Sequence, residues 1–245
     1  MTRLIHKTAL ITGGTTGIGL ATARSFLAEG ARVAITGSDP TRLAQAKTDL
    51  GGDVVAIPSD AGDFAAQRGL AKTIGATFGQ LDILVLNAGI AEFHPIADWD
   101  EASYDRAFAI NLKGPFFLVQ ALLPILANPA SIVLNASINA HMGMPNSSIY
   151  AATKAGLVSM ARTLSGELIG RGIRVNAVSP GPVATPLHDK LGLVGDDLAG
   201  LVKQIPLGRR GAPNEIAQAI VFLASDAGAF AVGSEFIIDG GMSTL

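Results

Sequence analysis

The chain has 245 residues, 49% hydrophobic and 16% charged, with a formal net charge of −2 and no cysteine. So apolar a composition excludes disorder, the lack of cysteine excludes disulfides and thiolate chemistry, and without a basic block nucleic acid has no electrostatic footprint. The length suits one α/β domain, here expected to span 1–245, with a sizeable core.

The opening "MTRLIHKTAL" lacks the apolar core of a secretory signal. The longest apolar stretch, "PFFLVQALLPILA", is too short and interrupted to span a bilayer. A cytoplasmic protein with no membrane or nucleic-acid partner is expected. His6, His94, His141 and His188 are too scattered to suggest a metal site.

In chain order, the first predicted strand, "TALIT" (8–12), runs into "TGGTTGIG" (12–19) and a helical pattern over 17–29. Gly13, Gly17 and Gly19 permit a tight turn and close approach of the backbone to a pyrophosphate. The helix behind them offers free N–H groups and its positive dipole end. The loop lacks the Gly-Lys-Ser/Thr ending of an ATP- or GTP-binding loop. Strand "RVAIT" (32–36), a helix over 40–49, "DVVAI" (53–57), a helix over 63–78 and "DILVL" (82–86) follow. Then come a helix over 101–126, "SIVLN" (131–135), a helix over 148–169, "IRVNAVS" (173–179), a helix over 213–224 and "EFIID" (235–239). Continuous apolar strands alternating with helices predict a Rossmann-type, doubly wound α/β domain. Its seven-stranded parallel sheet carries helices on both faces. The Gly- and Pro-rich stretch 180–212 breaks the alternation. Val183, Leu187, Leu191 and Leu193 mark it, from about 183 to 212, as a lid over an apolar substrate.

Within "SIYAATKAG" (148–156), Tyr150 and Lys154 are four apart and share one helix face. Such spacing is shared by a solvated lysine beside a core-packed tyrosine and by a tyrosine that exchanges protons. A free tyrosine, with a pKa of about 10, is a poor base at neutral pH. A neighbouring ammonium favours the phenolate and lowers such a pKa by roughly 1 to 3 units, so Lys154 is expected to activate Tyr150.

The glycine loop, "NAG" at 87–89, Asn111 in "INLKG", Ser137, Tyr150, Lys154 and "PGPVATP" at 180–186 follow one another in a characteristic order and spacing. In this the chain resembles the short-chain dehydrogenase/reductase family, from about residue 7 to "IIDGG". The resemblance implies four catalytic residues. Ser137 would polarise a substrate carbonyl, Tyr150 would exchange the proton, and Lys154 would also bind the nicotinamide ribose. Asn111 would hold a water in a proton relay, a role compatible with its being a helix-kink asparagine. The resemblance also implies cofactor contacts from Gly13, Thr15, Thr16, Gly17, Ile18 and Gly19, and from Gly37 and Ser38. Asp60 and Ala61 would lie at the adenine, helix N-capping being the rival role for Asp60. Asn87, Ala88 and Gly89 would flank the cofactor's path. Pro180, Gly181, Val183 and Thr185 complete the set, with Thr185 at the nicotinamide carboxamide.

The choice between NAD and NADP rests on the end of the second strand, where an acidic residue binds a ribose 2′-OH and a basic one a 2′-phosphate. Gly37 occupies the acidic position, Ser38 and Asp39 follow, and no arginine stands at 38. The missing carboxylate, with hydroxyls on Thr15, Thr16 and Ser38, favours NADP, with NAD as the alternative. "INAHMGMPNSSI" (138–149) and the lid would line an apolar pocket for a hydrophobic ketone or secondary alcohol. A 3-oxoacyl-[acyl-carrier-protein] reductase is the second reading, for which Arg171 and Arg174 offer a small basic docking surface. A nucleotide-sensing protein without turnover is the third. Apolar stretches at 114–127 and 224–241 exceed what one sheet face needs, so a homo-oligomer is expected, as a tetramer by the resemblance.

Overall fold

The structure, a computed structural model, describes residues 2–187 and 195–245. Strands β1 (Thr8–Ile11), β2 (Arg32–Gly37) and β3 (Val55–Pro58) alternate with helices α1 (Gly17–Ala28), α2 (Pro40–Leu50) and α3 (Phe64–Phe78). Then follow β4 (Leu81–Leu86), α4 (Glu101–Phe108), α5 (Gly114–Leu122), β5 (Leu126–Asn135), α6 (Ser148–Leu168) and β6 (Ile173–Pro180). The remainder is α7 (Gly195–Lys203), α8 (Pro213–Ala224) and β7 (Glu235–Ile238).

The seven strands form one sheet in the order β3-β2-β1-β4-β5-β6-β7, and every neighbouring pair is parallel. Strand side chains alternate between two apolar layers, as the period of two requires. Leu10, Leu84, Leu86, Ile132 and Leu134 pack with α3, α5 and α6 on one face. Ala9, Ile11, Ile83, Val85 and Val133 pack with α1, α2 and α8 on the other. Burial on both faces is why the strands read as unbroken hydrophobic runs. The chain lays β2 and β3 to one side of β1, then returns to set β4 on its other side. Such a reversal opens a crevice at the carboxyl ends of the strands.

One element differs from expectation. The helix predicted over 101–126 is α4, a wider π-type turn (Ala109–Lys113) holding Asn111, and α5, which ends at Leu122. Strand β5 begins at Leu126, earlier than predicted. Among the described residues, no helix is long and apolar enough to cross a membrane.

Candidate active site

A cavity of about 410 Å³ lies at the carboxyl ends of β1, β2, β4, β5 and β6. The glycine loop forms one part of its wall through Gly13, Thr15, Thr16, Gly17 and Ile18. Gly37, Ser38, Asp60 and Ala61 line its outer part, and Asn87, Ala88 and Gly89 follow from β4. Ser137, Tyr150 and Lys154 share this wall with Pro180, Gly181, Val183 and Thr185. Gly19 and Asn111 stand outside the lining.

The loop is fixed from behind. Asn87 Nδ2 donates to the carbonyls of Thr12 and Gly13 at 3.0 and 3.1 Å, and the Asn87 and Ala88 amides donate to Thr12 Oγ1. Gly13 has φ +62°, and a Cβ there would come within 2.9 Å of Ala88 Cα. A side chain at Gly19 would collide with the Gly13 carbonyl, so that glycine shapes the loop without touching the cavity. Thr16 precedes α1 without a side-chain cap, and the first turn holds no acidic residue. The orphan N–H groups of that turn are thus free for an anion. At the far wall Asn135 Nδ2 donates to Asn87 Oδ1, leaving a buried Asn135 Oδ1 without a partner. A backbone cradle, an uncapped helix and an orphan acceptor facing a donor-rich ligand fit a dinucleotide.

Ser137 follows β5 and caps a short 3₁₀ turn (Ile138–Ala140), accepting a hydrogen bond from the Asn139 amide. Tyr150 and Lys154 stand on the first turns of α6. Tyr150 is half-buried, with Phe93 packed edge-on at 5.7 Å. Burial pushes its phenol above the ordinary value, and the Ser137 hydroxyl pulls it back. Burial also draws Lys154 down to about 8. The expected lowering of Tyr150 by Lys154 is therefore corrected. Lys154 Nζ stands 5.5 Å from the Tyr150 ring centre and donates at 2.7 Å to the Asn135 carbonyl, so desolvation outweighs its field.

The structure gives three further site residues local roles. Asn111 is buried, and both ends of its amide are hydrogen-bonded. Oδ1 accepts from the Ile90 amide, while Nδ2 donates to the Ile90 carbonyl and to Thr153 Oγ1. That side chain braces the β4 loop against α6, which fits the helix-kink role that is compatible with holding a water. Asp60 does not cap α3. Asp63 does, accepting from the Ala65 and Ala66 amides, while Asp60 lines the cavity. Gly37 lets the glycine loop pack closely on β2: a Cβ there would lie 2.5 Å from Thr15 Cγ2.

Sequence reading missed Arg42, which lines the cavity beside Ser38. Asp39 caps α2 by accepting from the Arg42 amide at 3.0 Å, and Arg42 Nε donates to the same carboxylate at 2.7 Å. These bonds hold the Asp39 carboxyl below its usual range. The signal lies in "SDPTR", a cap followed three residues later by a cation.

At the substrate end Ile90, Phe93, Ile138, Met144, Leu187 and Leu201 give an apolar lining, with Asn139 among them. Leu201, on α7, also packs beside Ile138, Ile205 and Met242, so part of the expected lid does face this space. His188, Leu191 and Leu193 lie outside the described residues. His141 is exposed and hydrogen-bonded to Glu235 at 2.6 Å. Arg171 donates to the carbonyls of Leu123 and Leu126, and Arg174 to those of Ser225, Gly228 and Ala231. These bonds tie both guanidinium groups to the chain's own carbonyls.

Comparison with known proteins agrees with this geometry. A family model described as enoyl-(acyl carrier protein) reductase matches residues 13–243. The L-rhamnose 1-dehydrogenase (NAD(P)(+)) of Azotobacter vinelandii is 37% identical, over 98% of this chain and 97% of its own. The 3-oxoacyl-[acyl-carrier-protein] reductase of Thermotoga maritima is 38% identical, over 98% and 99%. A Brucella melitensis short-chain dehydrogenase/reductase, titled glucose/ribitol dehydrogenase, superposes with a TM-score of 0.94 at 36% identity, covering 100% of both chains. With the same sheet, full-length relatives and a cavity that joins the glycine loop to Ser137, Tyr150 and Lys154, this chain belongs to the short-chain dehydrogenase/reductase family of oxidoreductases.

Proposed function

We propose that the protein interconverts a hydrophobic ketone and its secondary alcohol with NADP as the favoured cofactor. The observation that carries this reading is the placement of Ser137, Tyr150 and Lys154 on the wall of the cavity that also holds the glycine loop. The dinucleotide supplies a hydride donor or acceptor. Its pyrophosphate would rest on the loop and the free end of α1, and Lys154 would meet its ribose.

In the reducing direction Ser137 Oγ donates to the substrate carbonyl oxygen, and the Tyr150 hydroxyl gives that oxygen its proton. In the oxidising direction the phenolate takes the proton back. A raised tyrosine suits the donor role, because the phenol stays protonated at neutral pH. Lys154, still charged in most molecules at pH 7, becomes the group that stabilises the phenolate as it forms. The apolar lining excludes water from the reacting oxygen.

The NADP reading rests on Arg42, on the Thr15 and Ser38 hydroxyls, and on the lack of a carboxylate at 37. Asp39, the one acid nearby in sequence, is held by its cap. NAD is the alternative. Reduction of 3-oxoacyl groups on a carrier protein stays second, supported by the Thermotoga maritima relative and weakened by the internal roles of Arg171 and Arg174. A nucleotide sensor without turnover is third, and the intact catalytic group speaks against it. We read the chain as one catalytic domain in which Val183, Leu187 and Leu201 serve as the described part of a substrate lid, working in the cytoplasm as a homo-oligomer.

Tyr150→Phe tests the mechanism. Turnover of a hydrophobic ketone should fall by at least a thousandfold, while NADPH binding, followed by its fluorescence, changes less than threefold. Activity equal to the unaltered enzyme would remove Tyr150 from the chemistry.

A further inference from the structure

We infer that Asn139 is a specificity residue, and that the preferred substrate carries a second oxygen on the carbon one or two positions from the reacting carbonyl. This rests on the ketone-reductase reading above and names the substrate class within it. Around the substrate end the lining is apolar, supplied by Ile90, Phe93, Ile138, Met144 and Leu201. Among the described residues there, Asn139 is the polar exception apart from the catalytic pair, and it is only 8% exposed.

Its hydrogen-bonding capacity is poorly used. A primary amide has two N–H donors, and buried donors normally find oxygen acceptors. Among the described residues Asn139 Nδ2 has only the Met144 thioether, at 3.7 Å, and thioether sulfur is a weak acceptor. Its Oδ1 accepts a long 3.4 Å contact from Ser137 Oγ. The amide therefore stands beside the hydroxyl that would hold the reacting carbonyl, with donor capacity left over. Since Oδ1 and Nδ2 share one carbon, Ser137 Oγ and Asn139 Nδ2 can reach two oxygens on adjacent or next-adjacent carbons. An α-hydroxyketone or a 3-oxo ester presents such a pair, whereas a plain ketone leaves the amide unanswered. Sites that hydrogen-bond a substrate group reject the analogue lacking it, because the site's own buried group is left unpaired.

The test compares kcat/KM for 2-octanone, 1-hydroxy-2-octanone and ethyl 3-oxohexanoate in the unaltered enzyme, Asn139→Leu and Asn139→Asp. The unaltered enzyme should prefer at least one oxygenated ketone over 2-octanone by tenfold or more, and which one tells whether the second oxygen sits at the α or the β carbon. Both variants remove the amide N–H groups, so in each the preference should fall below threefold, whatever the absolute rates. NADPH fluorescence identifies a variant that has failed to fold, and the other then decides. A preference that survives in a folded variant, or no preference in the unaltered enzyme, overturns the inference while leaving ketone reduction standing. No turnover of any of the three ketones overturns both.

Discussion

At the residue scale, the Tyr150–Lys154 pair was legible because helical spacing alone puts both on one face. Its electrostatics were not. The charge partner is four residues away in sequence, whereas desolvation comes from Phe93 and from the walls contributed by β4 and β5. Burial has a measurable consequence for Lys154, whose pKa falls from 10.5 to about 8 in the folded protein. Between those values the unfolded chain binds the extra proton, so stability rises with pH across the window. From pH 8 to 9.5, below the range where the raised Tyr150 titrates, the gain should be about 2 kcal/mol. Urea titrations of wild type and Lys154→Met check this. The stability of wild type relative to the variant should rise by that amount over the window, and a pH-independent difference would remove the buried charge from the account. Asn139 escaped sequence reading for a related reason: nothing local shows that its only side-chain acceptor is a thioether.

At the element scale, the strands announced themselves because burial on both faces demands continuous β-branched runs. The error at 101–126 has the same origin. An apolar run such as "LLPILA" suits a helix end or a strand start equally well, and only the sheet pairing Leu81 with Leu126 decides it. The π-type turn at Asn111 was visible only as a suspected kink, since its cause is the bracket that Asn111 forms with the Ile90 backbone. Helix α2 carries the residue on which the NADP proposal rests. Its capping carboxylate and Arg42 are locked together, so a 2′-phosphate would compete with Asp39 for the guanidinium. Charge-assisted bonds of this kind contribute about 1.5 to 3 kcal/mol. Arg42→Ala should therefore lower kcat/KM for NADPH about tenfold or more and leave NADH within threefold. Gly37→Asp should also disfavour NADPH by repulsion, but it must first displace the Thr15 methyl group, so both cofactors should bind more weakly. A tenfold preference of wild type for NADH would reverse the cofactor assignment.

At the scale of the whole molecule, the two apolar stretches that suggested association behave differently. Half of 114–127 is buried, with Leu118, Val119, Leu122 and Leu126 in the core. Outside lie aromatic rings: Tyr104 on α4 and Phe116 and Phe117 on α5 are exposed. Tyr104 stacks on Phe108 at 4.6 Å, Phe116 meets Phe117 at 5.3 Å, and Phe117 meets Phe64 at 5.7 Å. A second face lies at the β7 edge of the sheet, where Phe230 is fully exposed and Val232 and Ile237 are 40% and 41% exposed. Two separate apolar faces on one chain are what two different twofold contacts require, and two such contacts build a tetramer. Phe116 and Phe117 are 43% and 38% exposed, so completing their burial contributes about 1 kcal/mol per ring. A twofold axis presents each ring twice, giving about 4 kcal/mol and roughly a thousandfold in the association constant. Phe116→Glu combined with Phe117→Glu should therefore convert a tetramer into dimers held by the β7 edge, as read by sedimentation velocity. An unaltered protein that sediments as a 25.0 kDa monomer, or a double variant that stays tetrameric, would take this aromatic face out of the assembly.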